Sequence, residues 1–406
     1  MAWRVAFLGL CWIGAGCAAT LAPATWTLHA ERSRFQETGT YAEVETLCHQ
    51  WAQHYPQWVR CQTLGKTAEG RDIRALVISK SGTLQAAAAR RHHLPVMLVM
   101  GGTHAGEIDG KDASLMLMRT LLASSAADNP LKRMVMVLVP VFNVDGHERR
   151  SPFNRPNQNG PKVQGERTTA LRINLNRDWM LAQTPEMQAM LSWVKQWDPL
   201  LTLDLHVTDG IRYRHDVSLS MSPMFSENTA LSQLSTQLQQ GMLQRLTQLG
   251  HKPLDFYPVF NDLEDPGAGI MQEVESPRFS HVYAVLKNRL GVLVENYAWN
   301  DYATRVQTSI DTLNSAIAEL LLHQEALLKV SRLADEQALF WGSKQVALDW
   351  RNVYEHGPAH PSGTIALQGY RYQVHEDAPV VGGRRVSYDV TQPDVWHVPL
   401  YKNVRQ

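Results

Sequence analysis

Leu94-Pro95-Val96-Met97-Leu98-Val99-Met100-Gly101-Gly102-Thr103-His104-Ala105-Gly106-Glu107 carries an unbroken apolar run into a pair of glycines and then into an imidazole and a carboxylate. A short apolar run without alternation predicts a strand buried on both faces, the kind found in sheets covered by helices. Beyond the end of that strand, His104 and Glu107 deliver nitrogen and oxygen donors to one point, a donor set that suits zinc.

Two further apolar runs end in the same way. Leu200-Leu201-Thr202-Leu203-Asp204-Leu205-His206 brings a second histidine, and Gly291-Val292-Leu293-Val294-Glu295 brings a lone carboxylate. Two histidines and one carboxylate leave a position open for water, which is a catalytic arrangement rather than a closed structural one. Between these runs lies Asn174-Leu175-Asn176-Arg177-Asp178, an amide beside a guanidinium that suits bidentate grip of a planar carboxylate. Each piece alone is common. Their order, each at the point where an apolar strand runs out, matches where open α/β sheets place their sites.

The succession His-x-Gly-Glu, Asn-x-Asp-Gly, Arg-x-Asn, Leu-Asn-Arg, Asp-x-His and a late strand-end Glu resembles the zinc carboxypeptidase family, over about residues 40 to 325, in the form of an exported bacterial member. The resemblance implies one zinc per chain held by His104, Glu107 and His206, with Glu295 as general base and acid. It implies that Arg155, in Arg155-Pro156-Asn157, polarises the scissile carbonyl and that Asn176 and Arg177 bind a terminal carboxylate. Asn143-Val144-Asp145-Gly146 departs from the family's turn by lacking its proline. Tyr283 is a candidate for the mobile substrate-capping tyrosine, its other reading being a ring packed on the helix that leads into Leu290. Asp178-Trp179 implies a more acidic wall beside the carboxylate clamp.

The residue types support this chemistry independently. Peptide hydrolysis needs a nucleophile, an electrophile and a proton for the departing amine. Zinc supplies hydroxide-like water, Glu295 beside Val292, Leu293 and Val294 handles the proton, and Arg155 meets the oxyanion. Asp204 lies on the same strand face as His206 and either accepts a hydrogen bond from a ligand imidazole or serves the sheet. A deacylase similar to aspartoacylase shares the His-x-x-Glu and Asn-Arg features, and cell-wall peptides are an alternative substrate class. A binding protein that lost its chemistry would lack a ligand or the base, and none is missing.

Composition sets the frame. The 406 residues, 44% hydrophobic, suffice for a large core. Lys plus Arg equal Asp plus Glu at 39 each, so no global field draws nucleic acid or a membrane surface. The expected partner is a small peptide-like substrate with a free carboxylate; oligomeric state is left open. Arg4, the apolar Val5 to Ala15 and the small residues through Ala24 read as an export signal, too short for a membrane span, so the mature chain is expected to be periplasmic or secreted. Cys17 offers lipid attachment as an alternative. Removal after Ala24 leaves Cys48 and Cys61, which form one disulfide or two buried thiols.

The pattern predicts an α/β/α sandwich with a mixed, mainly parallel central sheet in residues 25–335, after a signal segment 1–24, and a small β-rich extension in 336–406. Helices are expected over Tyr41 to Tyr55, Ile108 to Leu122, Asn228 to Leu249 and Tyr302 to about Leu333. Strands are expected over Asp72 to Ser79, Met134 to Phe142 and Arg212 to Ser222, with a long loop from Ser151 to Thr169 over the site. Asp255, Asp262, Glu264, Asp265, Glu273 and Glu275 make one region acidic, either to favour basic substrates or as a solvated face. The extension could pack on the catalytic domain, restrict the cleft or bind a partner.

Overall fold

The computed structural model describes residues 26–208, 210–221, 229–272, 275–339, 350–352, 361–375 and 385–405. The expected export segment, Cys17 and Glu273 lie outside them. In chain order the helices are α1 (His29–Arg32), α2 (Tyr41–His54), α3 (Ala86–Arg91), α4 (Asp109–Ala123), α5 (Val144–Glu148), α6 (Pro185–Trp197), α7 (Thr229–Gln248), α8 (Ser280–Leu286) and α9 (Tyr302–Ala338). The strands are β1 (Val59–Lys66), β2 (Asp72–Ile78), β3 (Val96–Met100), β4 (Val135–Val139), β5 (Leu201–Val207), β6 (Val217–Met221), β7 (Pro253–Leu254), β8 (Val259–Phe260), β9 (Ile270–Gln272), β10 (Leu290–Asn296), β11 (Trp350–Asn352), β12 (Gly363–His375) and β13 (Arg385–Arg405).

Every residue of β3, β4 and β5 is buried, as a continuous apolar run requires when both faces of a sheet are covered. The central sheet runs β1-β2-β4-β3-β5-β10-β6-β7. Its inner strands β4, β3, β5 and β10 are parallel, with β2 antiparallel to β4 on one side and β6 antiparallel to β10 on the other. The chain thus leaves β3 between β4 and β5, the reversal of strand order at which such sheets open a crevice. The disulfide Cys48–Cys61 ties α2 to β1.

Helix α9 continues past Leu333 to Ala338, because Ala334-Asp335-Glu336-Gln337-Ala338 contains neither glycine nor proline to stop it. Strand β6 is shorter than its pattern suggests. The backbone of 211–216 turns elsewhere: Arg214 N donates to Gln368 O at 2.8 Å, and His215 Nε2 accepts from Gln368 N at 3.0 Å.

These bonds join the C-terminal hairpin to the segment that follows β5. β12 pairs antiparallel with β13, and β13 pairs in parallel with β9, Leu400 opposite Ile270. A second core forms there, in which Leu367, Trp396 and Val398 of the hairpin meet Tyr213 and Tyr297. The rings of Tyr213 and Tyr297 meet at a tilt of 30° with centroids 4.8 Å apart, and Tyr297 follows Glu295 by two positions. The hairpin therefore packs against the segments that leave the ends of β5 and β10. Among the described residues, no helix is long and apolar enough to cross a membrane.

Candidate metal centre and active site

Beyond Met100 the chain must turn sharply to bring His104 over the sheet. Gly102 takes φ 58, and a Cβ on Gly101 would lie 2.6 Å from Pro140 O, so this turn needs both glycines. Glu107 N donates to His104 O at 2.9 Å, closing the ligand turn. A Cβ on Gly106 would meet Arg155 Cγ at 2.7 Å, which shows how closely the 151–169 loop presses on it.

The donor atoms of His104, Glu107 and His206, all buried, lie within 4.8 Å of one another. His104 Nε2 lies 3.0 Å from Asn174 Oδ1, which also accepts from Asn176 N at 2.9 Å and is thereby identified as the oxygen of the amide. His206 Nε2 faces Asp204 Oδ1 at 3.0 Å, somewhat off the ideal hydrogen-bond line. Both Nε2 atoms thus face acceptors and carry the hydrogens, leaving both Nδ1 lone pairs directed inward.

The two Nδ1 atoms are 3.1 Å apart, and Glu107 places Oε1 3.0 Å from that of His104 and Oε2 2.9 Å from that of His206. With both lone pairs directed inward, the three side chains face one another as acceptors, an arrangement that a cation between them satisfies. Zinc bonds of about 2.0–2.1 Å in a tetrahedron set ligand edges of about 3.3 Å, close to those distances. The electrostatics agree. Burial alone would neutralise Glu107, yet His104 and Arg155 hold its carboxyl well below the usual range. Burial also opposes charge on His206, and Asp204 and Glu107 overcome it, raising the imidazole well above its ordinary value; the negative surroundings that favour a proton on this ring equally favour a metal cation among the three side chains. The residues present therefore fit a zinc ion.

Asp204 is fully buried and accepts from Thr103 Oγ1 at 2.7 Å and Ser280 Oγ at 2.6 Å. Of the two roles open to it, the carboxylate is placed to face the ligand imidazole while tying β5 to α8. Glu295 is the register partner of His206 across β5 and β10 and stays partly exposed.

The clamp segment hangs from the same centre. Leu175–Arg177 forms a 3-10 turn whose first amide bond is to the Asn174 oxygen that holds His104. Arg177 is half-buried, its guanidinium 4.1 Å above the Phe279 ring. Burial and the neighbouring Arg278 and Arg167 lower its pKa, while Glu275 and Glu295 act in the other direction. Asn176 is buried and its Oδ1 accepts from Ser280 N at 3.4 Å.

Arg155 is brought to the centre, Nη1 3.0 Å from Glu107 Oε1, but so is Arg167 at the same distance. Arg155 is 6% exposed and Arg167 37%. Arg167 was not legible among the several arginines of its loop. The signal lay in the Asn143-Val144-Asp145-Gly146 turn: Asn143 Nδ2 donates to Arg167 O at 3.2 Å, and Gly146 O accepts from Glu166 N at 2.7 Å.

Three expectations are corrected. Tyr283 does not join the centre: α8 starts at Ser280 beside Asp204 and runs toward the start of β10, so one turn carries Tyr283 away from the ligands. Its ring packs on Trp179, centroids 5.4 Å apart, and lines a cavity of about 740 Å³ with Pro199 and Thr202 at the opposite end of the strands. Asp178 does not make the wall acidic. It is buried and accepts from Gln183 N, Thr184 N and Thr184 Oγ1 at 2.8–3.0 Å, ordering the entry to α6. The acidic stretch is no single face: Asp262 is exposed, whereas Glu275 turns inward to His281.

The zinc carboxypeptidase family matches residues 44–256. Carboxypeptidase D of Anas platyrhynchos is 26% identical over 196 residues, 45% of this chain and 13% of the relative. That of Homo sapiens is 25% identical over 178 residues, 41% and 12%. The matched segment is thus a small part of those longer relatives. The crystal structure of a metallo-carboxypeptidase from Burkholderia cenocepacia superposes with a TM-score of 0.50 at 17% identity, covering 69% of this chain and 68% of that one, and so shares its fold. With the family matched over more than half its length, this chain belongs to the zinc carboxypeptidases.

Proposed function

We propose that this chain is a zinc-dependent metallocarboxypeptidase that releases residues from the free carboxyl end of peptides. The observation that carries the reading is the convergence of His104, Glu107 and His206 on one point, with the carboxylate of Glu295 in register beside His206.

His104 Nδ1, His206 Nδ1 and Glu107 would hold the zinc, which when bound lowers the pKa of water and polarises a carbonyl. Glu295 takes the proton of the attacking water and returns it to the leaving amine. Positive charge for the developing oxyanion comes from the pair Arg155 and Arg167. Arg167, the more exposed, is the one a substrate reaches, and buried Arg155 steadies Glu107 from behind. Arg177 and Asn176 take the terminal carboxylate, Arg177 backed by the Phe279 ring. The N-terminal pattern Arg4 to Ala24 supports export to a periplasm or medium as part of this proposal.

The test is turnover of a mixed peptide library, including amidated and D-residue members, by the zinc-loaded chain and its Glu295→Gln variant. Loss of single carboxyl-terminal residues supports the reading, and D-residue release identifies cell-wall peptides. Activity confined to N-acyl amino acids would overturn it in favour of a deacylase.

A further inference from the structure

We infer that Arg305 is the positioning residue of this active site, a buried guanidinium that fixes the Glu295 strand end and the Arg155 loop against the turn carrying Glu107. The inference rests on the proposed reaction and adds a residue that none of its motifs contains.

Arg305 lies in the first turn of α9 and is 0% exposed. Its Nε donates to Asp109 Oδ2 at 2.8 Å, and Nη2 reaches Asp109 Oδ1 at 3.3 Å and Gly160 O at 2.7 Å. Nη1 donates to Asn159 O at 2.9 Å, Ala298 O at 3.1 Å and Asn300 O. Those partners come from three separate places. Asp109 opens α4, two residues after Glu107. Asn159 and Gly160 follow Arg155 in the loop over the site. Ala298 and Asn300 follow Glu295 at the end of β10.

Further bonds close the arrangement. Asn159 N donates to Ala298 O at 2.9 Å, Gln158 Nε2 to Gly106 O at 3.1 Å, and Asn296 Nδ2 to Arg305 O at 3.1 Å. The proton-transfer carboxylate, the arginine behind the ligand and the ligand turn are thus referred to one rigid fork. Lysine cannot replace it, because an ammonium is a point charge with three donors, whereas the guanidinium presents five in a plane. A buried ion pair is weak evidence for stability. This one instead sets distances on which hydrolysis depends, since a misplacement of about 1 Å costs about a hundredfold in rate. Arg305 touches no substrate, and the Arg177 clamp hangs from Asn174 instead.

The experiment measures kcat, KM, bound zinc and melting temperature for the full chain and its Arg305→Lys and Asp109→Asn variants, at a temperature at which each is folded. The expected result is a fall in kcat of about tenfold or more per zinc-loaded molecule in Arg305→Lys, with KM for a peptide bearing a free carboxylate within about twofold and one zinc retained. A lower melting temperature with kcat per folded molecule unchanged overturns the inference. Should neither variant fold, amide hydrogen exchange of the wild-type chain decides: the amides of Asn159, Ala298 and Asn300 are expected to open together with those at the start of α4. Independent opening overturns it. Absence of wild-type turnover would instead refute the proposed reaction and leave the exchange result standing.

Discussion

Glu295 and His206 are register partners on neighbouring parallel strands, β10 and β5. Side chains in register leave the same face about 4.8 Å apart, so the Glu295 carboxylate stands beside a histidine of the proposed metal triad. Fold topology produces this adjacency. Residues 208–289 separate the two strands in sequence, yet β10 lies directly against β5.

Replacement of Glu295 by Gln should therefore separate chemistry from metal binding. The amide keeps the shape and loses the proton acceptor, so kcat is expected to fall by about 10²–10⁴-fold while metal analysis still returns one zinc per chain. Ordinary turnover in Glu295→Gln would remove this residue from the mechanism.

Arg177→Ala should weaken peptides with a free terminal carboxylate far more than their amidated analogues. Charge-assisted hydrogen bonds are worth about 1.5–3 kcal/mol, which corresponds to a rise in KM of about 10- to 100-fold for the free acid alone. Phe279→Leu, which removes only the ring beneath the guanidinium, should reproduce the effect in weaker form. Equal losses on both substrates would mean that the carboxylate is held elsewhere.

The ligand strands were legible because each is a short apolar run ending in a functional side chain, a pattern local to a few residues. His104, Glu107, His206 and Glu295 needed no knowledge of pairing. Arg167 did, since its place beside Glu107 depends on a backbone bond from Asn143. The C-terminal hairpin was only half legible. Pro393 and Pro399 argue against a long strand, yet both lie in β13, opposite Tyr370 and Thr364. Tyr283 misled because spacing along the sequence carries no information about the direction in which α8 runs.

Asp204→Asn should reduce zinc affinity by about 10- to 100-fold, measured by competition with a chromogenic chelator. The amide keeps one acceptor oxygen, enough for only one of the Thr103 and Ser280 hydroxyls, which bond different oxygens of Asp204, and it removes the negative charge facing His206 Nε2. An unchanged affinity would confine Asp204 to its bonds with those two hydroxyls.

The Cys48–Cys61 disulfide spans a sequence separation of 13 residues, and a loop of that size is worth about 3 kcal/mol through the unfolded chain. The Cys48→Ala, Cys61→Ala double variant is expected to lose about that much in urea unfolding while retaining kcat, since both residues lie far along the sheet from the ligands. Loss of activity in the folded variant would contradict a purely structural role.

Arg155 and Arg167 stand at equal distance from Glu107 Oε1, and their unequal exposure predicts unequal phenotypes. Arg167→Ala should lower kcat by about 10²-fold or more with zinc affinity nearly unchanged, because the lost charge faces the substrate only as the oxyanion develops. Arg155→Ala removes a buried neighbour that keeps a ligand carboxylate ionised. Its loss should weaken zinc about tenfold in addition to slowing turnover. Parallel titrations of zinc and of kcat in the two variants read the difference directly. The reverse pattern, a zinc defect in Arg167→Ala and a purely kinetic one in Arg155→Ala, would exchange their roles and place Arg155 at the scissile carbonyl.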